Sequence, residues 1–179
     1  KNVLVNEPLK NHTYTRLGGA ADFLVTPETY EEVRQIVKLA NKEEVPFTLL
    51  GNGSNLIVKD GGIRGIVMNL YKLNEIKTVG TKVIAQSGAR IIDTSREALN
   101  QQLTGLEFAC GIPGSVGGAL YMNAGAYGGE IKDCLESTLV VDRNGELLTL
   151  RAEELDLEYR TSNIPAKGYI VLEAPFALK

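Results

Sequence analysis

The 179-residue chain is poor in the residues that most often carry chemistry: it has one histidine, two cysteines and no tryptophan. A sole histidine, His12, nearly excludes a histidine-rich metal site, a Ser-His-Asp triad and a Cys-His dyad with a spare histidine. We expect His12 to form a local hydrogen bond, since it lies between Asn11 and Thr13. Cys110 and Cys134 form no CxxC pair and are predicted to be buried free thiols. Any chemistry should therefore come mainly from a cofactor.

The chain also lacks an excess of one charge and any long apolar run. Its 19 Lys and Arg stand against 22 Asp and Glu, a net charge of -3, and they are interspersed. This pattern suggests neither a nucleic acid nor an anionic membrane as partner. No apolar run reaches the roughly 18 residues that a bilayer span requires, and the first residues do not resemble a signal peptide. We expect a soluble cytoplasmic protein of one domain or two small ones, of unknown oligomeric state.

Glycine, in contrast, is concentrated in one segment. Eight of the 19 glycines lie in residues 105–129, which contain one proline and almost no charge. A backbone without Cβ atoms can approach a planar or phosphorylated ligand closely and point N–H groups at it. A run of tight turns in a β-rich domain would have the same composition. Composition alone leaves both interpretations open.

A second glycine cluster, residues 51–55, directly follows the apolar run at residues 47–50. A strand that ends in Gly-Asn-Gly-Ser-Asn leaves several backbone donors unpaired, and the side chains of Asn52, Ser54 and Asn55 can complete a nest for an anion such as pyrophosphate. The loop lacks the third glycine of the dinucleotide fingerprint, and no glycine loop ends in Gly-Lys-Ser/Thr. Rossmann and P-loop folds are thus excluded, while two such loops in one small domain favour the ligand interpretation.

The first helix is predicted to begin at Thr29, where Thr-Tyr-Glu-Glu forms a capping box. It ends near Asn41, and the strands predicted at residues 23–25 and 47–50 make it part of a β-α-β unit. Ligands bind at the carboxyl ends of such strands, which is where the loop at residues 51–55 lies. The apolar face of this helix is predicted to consist of Val33, Ile36, Val37 and Ala40.

From residue 56 onward, the sequence predicts short strands and one more helix. That helix is predicted over residues 91–101, and Asn144-Gly145 between two apolar runs is a hairpin signal. We predict an α+β protein with a small lobe at about 1–70, a strand-rich lobe at about 71–179, and the ligand between them. The spacing of the second helix is set by Ile92, Ser95, Arg96 and Leu99. The apolar runs are residues 56–58, 65–68, 76–79, 83–85, 139–142, 146–150 and 169–178.

Four motifs in order carry a family resemblance: His12-Thr13 with Gly-Gly-Ala-Ala-Asp at 18–22, LGNGSNL at 50–56, GIPGSVGGALYMNAGAYGGEI at 111–131 and YRTS at 159–162. Together they resemble the flavin-binding part of the UDP-N-acetylenolpyruvoylglucosamine reductase (UDP-N-acetylmuramate dehydrogenase) family. The resemblance covers essentially the whole chain. It implies an α+β, two-lobed FAD-binding fold of the vanillyl-alcohol-oxidase (PCMH) type, with the C-terminal substrate domain absent.

The resemblance further implies FAD bound without a covalent link. Its pyrophosphate would be held by residues 50–56, and its ring would lie along residues 111–118 and 123–128. A flavin needs both a donor-rich nest and a flat wall poor in Cβ atoms, which agrees with the two glycine clusters. The implied cofactor-binding residues are Leu50, Gly51, Asn52, Gly53, Ser54, Asn55, Leu56, Gly111, Ile112, Pro113, Gly114, Ser115, Gly117, Gly118, Asn123, Ala124, Gly125, Ala126 and Gly128.

The implied activity is the reduction of UDP-N-acetylglucosamine enolpyruvate to UDP-N-acetylmuramate, with NADPH as co-substrate, in peptidoglycan precursor synthesis and hence in cell-wall biogenesis, cell shape and division. Arg160 in the YRTS motif matches the catalytic arginine of the family, and Tyr159 and Arg160 would contact the substrate. No metal is implied. Without the resemblance, a surface salt bridge of Arg160 with Glu158 or Asp156 would be expected instead.

The sequence departs from the family in one respect. The family places its proton-donating serine and a catalytic glutamate in a further C-terminal domain, and no matching motif occurs before Lys179, nor does Ser115 match. The 179 residues alone are therefore expected to be inactive. Two alternatives stay open: a related flavin-dependent alcohol or sugar oxidase with FAD tethered to His12, and a non-catalytic FAD- or nucleotide-binding module.

Overall fold

The computed structural model describes residues 2–179 as a chain of four helices and eleven strands, with four short 3-10 turns. The helices are α1 (Tyr30–Lys42), α2 (Ile91–Asn100), α3 (Val116–Tyr121) and α4 (Ile164–Lys167). The strands are β1 (Val3–Pro8), β2 (Ala20–Val25), β3 (Phe47–Leu50), β4 (Ile63–Asn69), β5 (Ile76–Val79), β6 (Lys82–Gln86), β7 (Gly125–Ala126), β8 (Gly129–Glu130), β9 (Ser137–Val141), β10 (Leu147–Arg151) and β11 (Ile170–Ala177).

The strands form two larger sheets that follow one another along the chain. The first has the order β1-β2-β4-β3, in which β2, β4 and β3 are parallel and β1 is antiparallel to β2. The second has the order β10-β9-β11-β6-β5 and is antiparallel throughout. The first sheet ends at Asn69 and the second begins at Ile76. This layout is consistent with a division into two lobes near residue 70. That division itself stays a prediction.

Helix α1 packs against both sheets. Thr29 caps it by accepting a hydrogen bond from the Glu32 N–H at 3.1 Å, as the capping box predicts. Its buried residues share one apolar core with β4 of the first sheet and with β9 and β11 of the second. The Arg34 guanidinium also donates to the Gly145 carbonyl at 2.8 Å, and the Asn41 amide donates to the Arg143 carbonyl at 2.6 Å. Helix α1 thus links the two sheets.

The strand and hairpin signals near Asn144 are confirmed. Strands β9 and β10 pair in register from Leu147 opposite Val141 to Arg151 opposite Ser137. The Asp142 carboxylate accepts hydrogen bonds from the N–H groups of Asn144 and Glu146, at 2.8 and 2.9 Å. Strand β3 occupies the predicted residues 47–50, and β2 contains residues 23–25. These segments were predictable because their local signals, turn residues and short apolar runs, act within a few residues.

Two expectations are wrong, one about a strand at residues 56–58 and one about the buried face of α2. Residues 56–58 form no strand: Val58 is buried, but the side chains of Leu56 and Ile57 are exposed. In α2 the buried face consists of Ile91, Thr94, Ser95 and Ala98, and Leu99 is 75% exposed. The Ser95 hydroxyl donates to the Leu106 carbonyl at 2.8 Å, so a polar residue is accommodated inside while a leucine points outward.

Strand β1 was not predicted, and neither was α3, which lies inside the glycine-rich segment. The expectation that both cysteines are buried is half wrong: Cys134 is buried, whereas Cys110 is exposed in the 3-10 turn Glu107–Gly111. His12 does form the expected local hydrogen bond, with 2.8 Å between its Nε2 and Glu7 Oε1. Among residues 2–179, no helix combines the length and apolar character that a membrane crossing demands.

Candidate cofactor-binding cleft

A cleft of about 1230 Å³ opens where loops of the first sheet face the glycine-rich segment. This volume exceeds the roughly 300–1,000 Å³ of pockets for drug-sized ligands, so the cleft can accept a larger molecule. Every residue predicted to bind the cofactor lines it except Gly111, and Tyr159 and Arg160 line it as well. The structure thus brings the two glycine clusters and the YRTS motif to one place.

The loop at residues 51–56 begins where β3 ends, at the carboxyl edge of the parallel strands. In the described residues 2–179, none of the backbone N–H groups at 52–55 donates to a backbone carbonyl. Gly53 has φ +66°, and a Cβ there would lie 2.7 Å from Thr13 Cα, so only glycine fits without a shift. Successive free N–H groups of this kind form a nest for an anion.

In the glycine-rich segment, unlike the loop at 52–55, the N–H groups at the start of α3 have protein acceptors. Ser115 caps α3, and the first N–H groups of the helix are already bonded: Val116 donates to the Ala89 carbonyl at 2.8 Å and Gly117 to the Ser87 carbonyl at 3.0 Å. A Cβ on Gly117 would collide with the Ser87 hydroxyl. Protein packing therefore explains Gly117 without a ligand, whereas the N–H groups of the loop at 52–55 are still available to an anion.

Other glycines of the segment border open space. A Cβ on Gly128, at φ +84°, would have no atom within 4 Å, and one on Gly114, at φ +152°, would meet only Ser54 Oγ at 3.5 Å. The Ser54 hydroxyl also donates to the Pro113 carbonyl at 3.0 Å, which fixes the two clusters to each other. A donor-rich loop beside a wall poor in Cβ atoms fits a molecule that has both a pyrophosphate and a planar ring, as FAD does.

Arg160 lies on a tight turn at the edge of the cleft. The backbone groups of Glu158 and Thr161 exchange two hydrogen bonds of 3.2 Å, and Arg160 has φ +52° between them. Its guanidinium Nη2 lies 3.3 Å from Asn55 Oδ1. The alternative salt bridge with Glu158 or Asp156 does not form, because no carboxylate of residues 2–179 lies within 4.0 Å of this guanidinium. The neighbouring Tyr159 is 87% exposed.

The other two basic side chains that line the cleft both contact carboxylates. Arg90 contacts Asp93 through two nitrogens at 2.7 and 2.9 Å, and these hydrogen bonds lower the pKa of Asp93. His12 contacts Glu7, and its hydrogen bond lowers the pKa of that carboxyl. Arg160 is therefore the only basic group lining the cleft, within the part of the chain that the structure describes, whose charge is not balanced by a neighbouring carboxylate.

Sequence reasoning missed several parts of the lining. Asn69 ends β4 beside the end of β3, and a polar residue closing an apolar run of a parallel strand was the available signal. The Ser87–Gly88 pair follows β6, but nothing local relates it to α3, since that contact depends on tertiary packing. The missed lining residues are Asn11, Thr13, Tyr14, Leu49, Asn69, Leu70, Tyr71, Ser87, Gly88, Arg90, Ala119, Tyr121, Met122, Gly129, Glu130, Ile164, Tyr169 and Val171.

Metal chemistry has no candidate in this part of the molecule. Residues 2–179 contain no group of three or more histidine, cysteine, aspartate or glutamate side chains placed to hold an ion.

The chain matches a protein-family model described as "FAD binding domain" over residues 21–151. It is 74% identical over 179 residues to the UDP-N-acetylenolpyruvoylglucosamine reductase of Oceanobacillus iheyensis, covering 100% of this chain and 58% of that protein. The reductase of Staphylococcus aureus is 56% identical over 178 residues, with 99% and 58% covered. The chain thus spans 58% of the length of these relatives.

Solved structures agree with this assignment. A crystal structure of UDP-N-acetylenolpyruvylglucosamine reductase from Thermus caldophilus has a TM-score of 0.82 at 36% identity, covering 99% of this chain and 61% of that one. An alkyldihydroxyacetonephosphate synthase has a TM-score of 0.70 at 20% identity, covering 99% and 38%, and shows the fold alone. The predicted resemblance and the vanillyl-alcohol-oxidase type of FAD-binding fold are confirmed. The chain belongs to the FAD binding domain family.

Proposed function

We propose that the protein containing this chain reduces UDP-N-acetylglucosamine enolpyruvate to UDP-N-acetylmuramate, with FAD as non-covalent cofactor and NADPH as hydride source. The observation that carries the proposal is Arg160, a cation that has no carboxylate partner in residues 2–179 and lies at the edge of a cleft suited to a flavin. Relatives 74% and 56% identical bear the name of this reductase, which supports the same assignment. The reaction would take place in the cytoplasm as a step of peptidoglycan precursor synthesis.

The two clusters of cleft residues would share the work of holding the cofactor. The N–H groups of residues 52–55 would bind its pyrophosphate, because they have no backbone partner in residues 2–179. Gly114 and Gly128 would border its ring, because neither position has crowded surroundings. When bound, FAD would supply hydride transfer between NADPH and the enolpyruvyl double bond.

The Arg160 side chain would act on the substrate carboxylate. Hydride addition to one alkene carbon moves negative charge towards that carboxylate, so a fixed cation beside it stabilises the transition state more than the ground state. A guanidinium suits this task because it stays charged and pairs with a carboxylate through two parallel hydrogen bonds. The contact of Arg160 with the neutral amide of Asn55, at 3.3 Å, is one that a carboxylate can replace. Tyr159, beside it, would line the substrate pocket.

The proton that completes the reduction would come from outside these residues. We do not assign this role to Ser115, whose hydroxyl oxygen accepts from the Gly118 N–H at 3.2 Å as the cap of α3. We propose that the donor serine and a catalytic glutamate lie in the portion of the relatives that this chain does not span.

The test uses full-length protein assayed for NADPH oxidation with UDP-N-acetylglucosamine enolpyruvate. We expect yellow protein, turnover that depends on the UDP-sugar, and flavin that stays in the supernatant after acid precipitation. Flavin in the pellet together with alcohol-dependent oxygen uptake would instead identify an oxidase with FAD tethered to His12. A protein that binds FAD but oxidises no NADPH with this substrate would be the non-catalytic module, and the proposal would be wrong.

A further inference from the structure

Asn123 is a buried polar residue in the glycine-rich segment, 2% exposed, directly after α3. Its backbone has φ +43°, a left-handed conformation that asparagine tolerates better than most residues. Its amide Nδ2 donates to Glu130 Oε2 at 2.6 Å and to the Glu158 carbonyl at 3.0 Å. Its Oδ1 accepts from the Lys132 N–H at 3.0 Å. Both amide hydrogens and the amide oxygen are therefore bonded to protein atoms.

The orientation of this amide is set by its partners. A carboxylate accepts only, so Glu130 must face the NH₂ group of Asn123, and a backbone N–H donates only, so Lys132 must face the oxygen. Glu130 is itself held by Lys132 Nζ, 2.8 Å from Oε1. The amide is thus fixed between the strand β8 and the turn at residues 158–161.

That turn carries Arg160 in a conformation that a non-glycine residue adopts only when its surroundings enforce it. Asn123 bonds the carbonyl of Glu158, where the turn begins. On the far side of the turn the Ser162 hydroxyl donates to the Tyr121 carbonyl at 2.7 Å. The segment at residues 121–123 is therefore hydrogen-bonded to both flanks of the turn that carries Arg160.

We propose that Asn123 is a positioning residue for Arg160: its side chain sets the turn that presents the guanidinium. We assign it this role in place of the cofactor contact that the resemblance implies, because both amide hydrogens and the amide oxygen are bonded to protein atoms. The role of Arg160 in this statement rests on the function proposed above. Asparagine is suited to the position because it combines two donors, one acceptor and tolerance of positive φ. An aspartate would lose both donors and would place a second carboxylate against Glu130.

The first test is independent of catalysis. In full-length protein loaded with FAD, hydrogen exchange of the Thr161 amide, which donates to the Glu158 carbonyl, is compared between wild type and Asn123→Ala. We expect exchange faster by on the order of fivefold, because the turn opens locally more often. The matched control is Asn41→Ala, which also removes an asparagine bond to a turn carbonyl but lies on α1. Unchanged exchange at Thr161 in Asn123→Ala would overturn the proposal.

The second test separates positioning from a general structural role. Asn123→Ala should slow reoxidation of the reduced flavin by the UDP-sugar by on the order of tenfold, with FAD content and reduction by NADPH unchanged. In an Arg160→Ala background the same substitution should have almost no further effect, since both changes remove one interaction. Additive losses, or equal loss in both half-reactions, would contradict positioning through Arg160.

Should Asn123→Ala not fold, Asn123→Asp gives the same information through pH. Its reoxidation rate should recover as the pH falls, because protonation of the new carboxyl restores one donor beside Glu130 and Glu158. A defect independent of pH would contradict the proposal. If Arg160→Ala by itself leaves reoxidation unchanged, the proposed function of Arg160 is wrong, while the exchange rate at Thr161 still decides the role of Asn123.

Discussion

The guanidinium of Arg160 lies 3.3 Å from the amide oxygen of Asn55, a residue 105 positions away in the sequence. Asn55 belongs to the loop at residues 51–56, whose free N–H groups are proposed to bind the pyrophosphate. The contact therefore joins the residue proposed to act on the substrate to the loop proposed to bind the cofactor. No carboxylate of residues 2–179 competes with this contact for the guanidinium.

Replacing Arg160 should affect one half-reaction. In full-length protein, Arg160→Ala is expected to slow flavin reoxidation by the UDP-sugar by about 10²–10³, the usual effect of removing a group that stabilises transition-state charge. FAD content and reduction by NADPH should not change. Arg160→Lys keeps the positive charge but loses the planar guanidinium that pairs with a carboxylate through two bonds. Its reoxidation rate should therefore lie between those of the wild type and Arg160→Ala. Stopped-flow absorbance of the flavin measures both steps.

The control for Arg160 is Arg151→Ala, an exposed arginine whose ion pairs are with Glu153 and Glu154, away from the cleft. It should leave both half-reactions unchanged. Parallel loss of FAD and of reoxidation in Arg160→Ala would indicate a structural arginine and would contradict the proposed role.

Gly53→Ala should weaken cofactor binding. A Cβ at this position, with φ +66°, would lie 2.7 Å from Thr13 Cα, so the loop must shift to admit it. Strain of this kind costs about 1–3 kcal/mol, which predicts FAD affinity lower by roughly tenfold or more. Quenching of flavin fluorescence on titration with apoprotein gives the affinity. Gly61→Ala, where a Cβ would meet no atom within 4 Å, should bind FAD as the wild type does.

The Glu7–His12 contact should make stability depend on acid pH. The hydrogen bond from His12 lowers the pKa of Glu7 in the folded state below its value of about 4.3 in the unfolded chain. Its stabilisation is thus fully present above about pH 4.3 and is lost as the pH falls through the folded pKa. Urea unfolding at pH 7 and near pH 3 measures the free energy of unfolding. The part of its decrease that comes from this pair, less than about 1 kcal/mol, should be present in the wild type and missing in Glu7→Gln.

An exposed carboxylate supplies the comparison for Glu7. Glu153→Gln, at an exposed position, should keep the acid-dependent loss of the wild type. An identical pH dependence in Glu7→Gln and wild type would show that the pair with His12 contributes nothing to stability.

The two cysteines should react at different rates with a thiol reagent. Cys110 is exposed, whereas burial raises the pKa of the Cys134 thiol to about 12, so almost no thiolate exists there near pH 8. Native protein should release one equivalent of product quickly in an Ellman assay and the second only after unfolding. Cys110→Ser should abolish the fast phase. Two fast equivalents would mean that the segment around Cys134 opens readily.

Local signals were enough to predict much of the fold. The Thr29 cap, the apolar run at β3 and the Asn144-Gly145 turn each act within a few residues, and all three structures formed as predicted. The spacing predicted for α2 from Ile92, Ser95, Arg96 and Leu99 was right only at Ser95, whose hydroxyl donates to the Leu106 carbonyl on the buried face, whereas Leu99 is exposed. Residues 56–58 were apolar enough for a strand but have no strand partner in the described residues.

The candidate site was harder to predict in detail than in outline. Both glycine clusters line the cleft, yet Gly117 is required by packing on Ser87, and α3 runs through a segment whose glycines disfavour helix. The exposure of Cys110 and the amide network of Asn123 depend on contacts between residues far apart in the sequence. Composition was enough to single out residues 105–129. It could not distinguish the residues that are needed for packing within this segment from those that line the cleft.

The packing of helix α1 against both sheets means that the chain cannot be divided between them. Its buried Val33 and Val37 share a core with Met68 of the first sheet and Leu172 of the second. A cut near residue 70 would expose that core in both pieces, so neither piece would form a stable protein. The two sheets should instead unfold together in one cooperative transition. The loop at residues 51–56 is accordingly inseparable from the glycine-rich segment, and it cannot be transplanted as a small module.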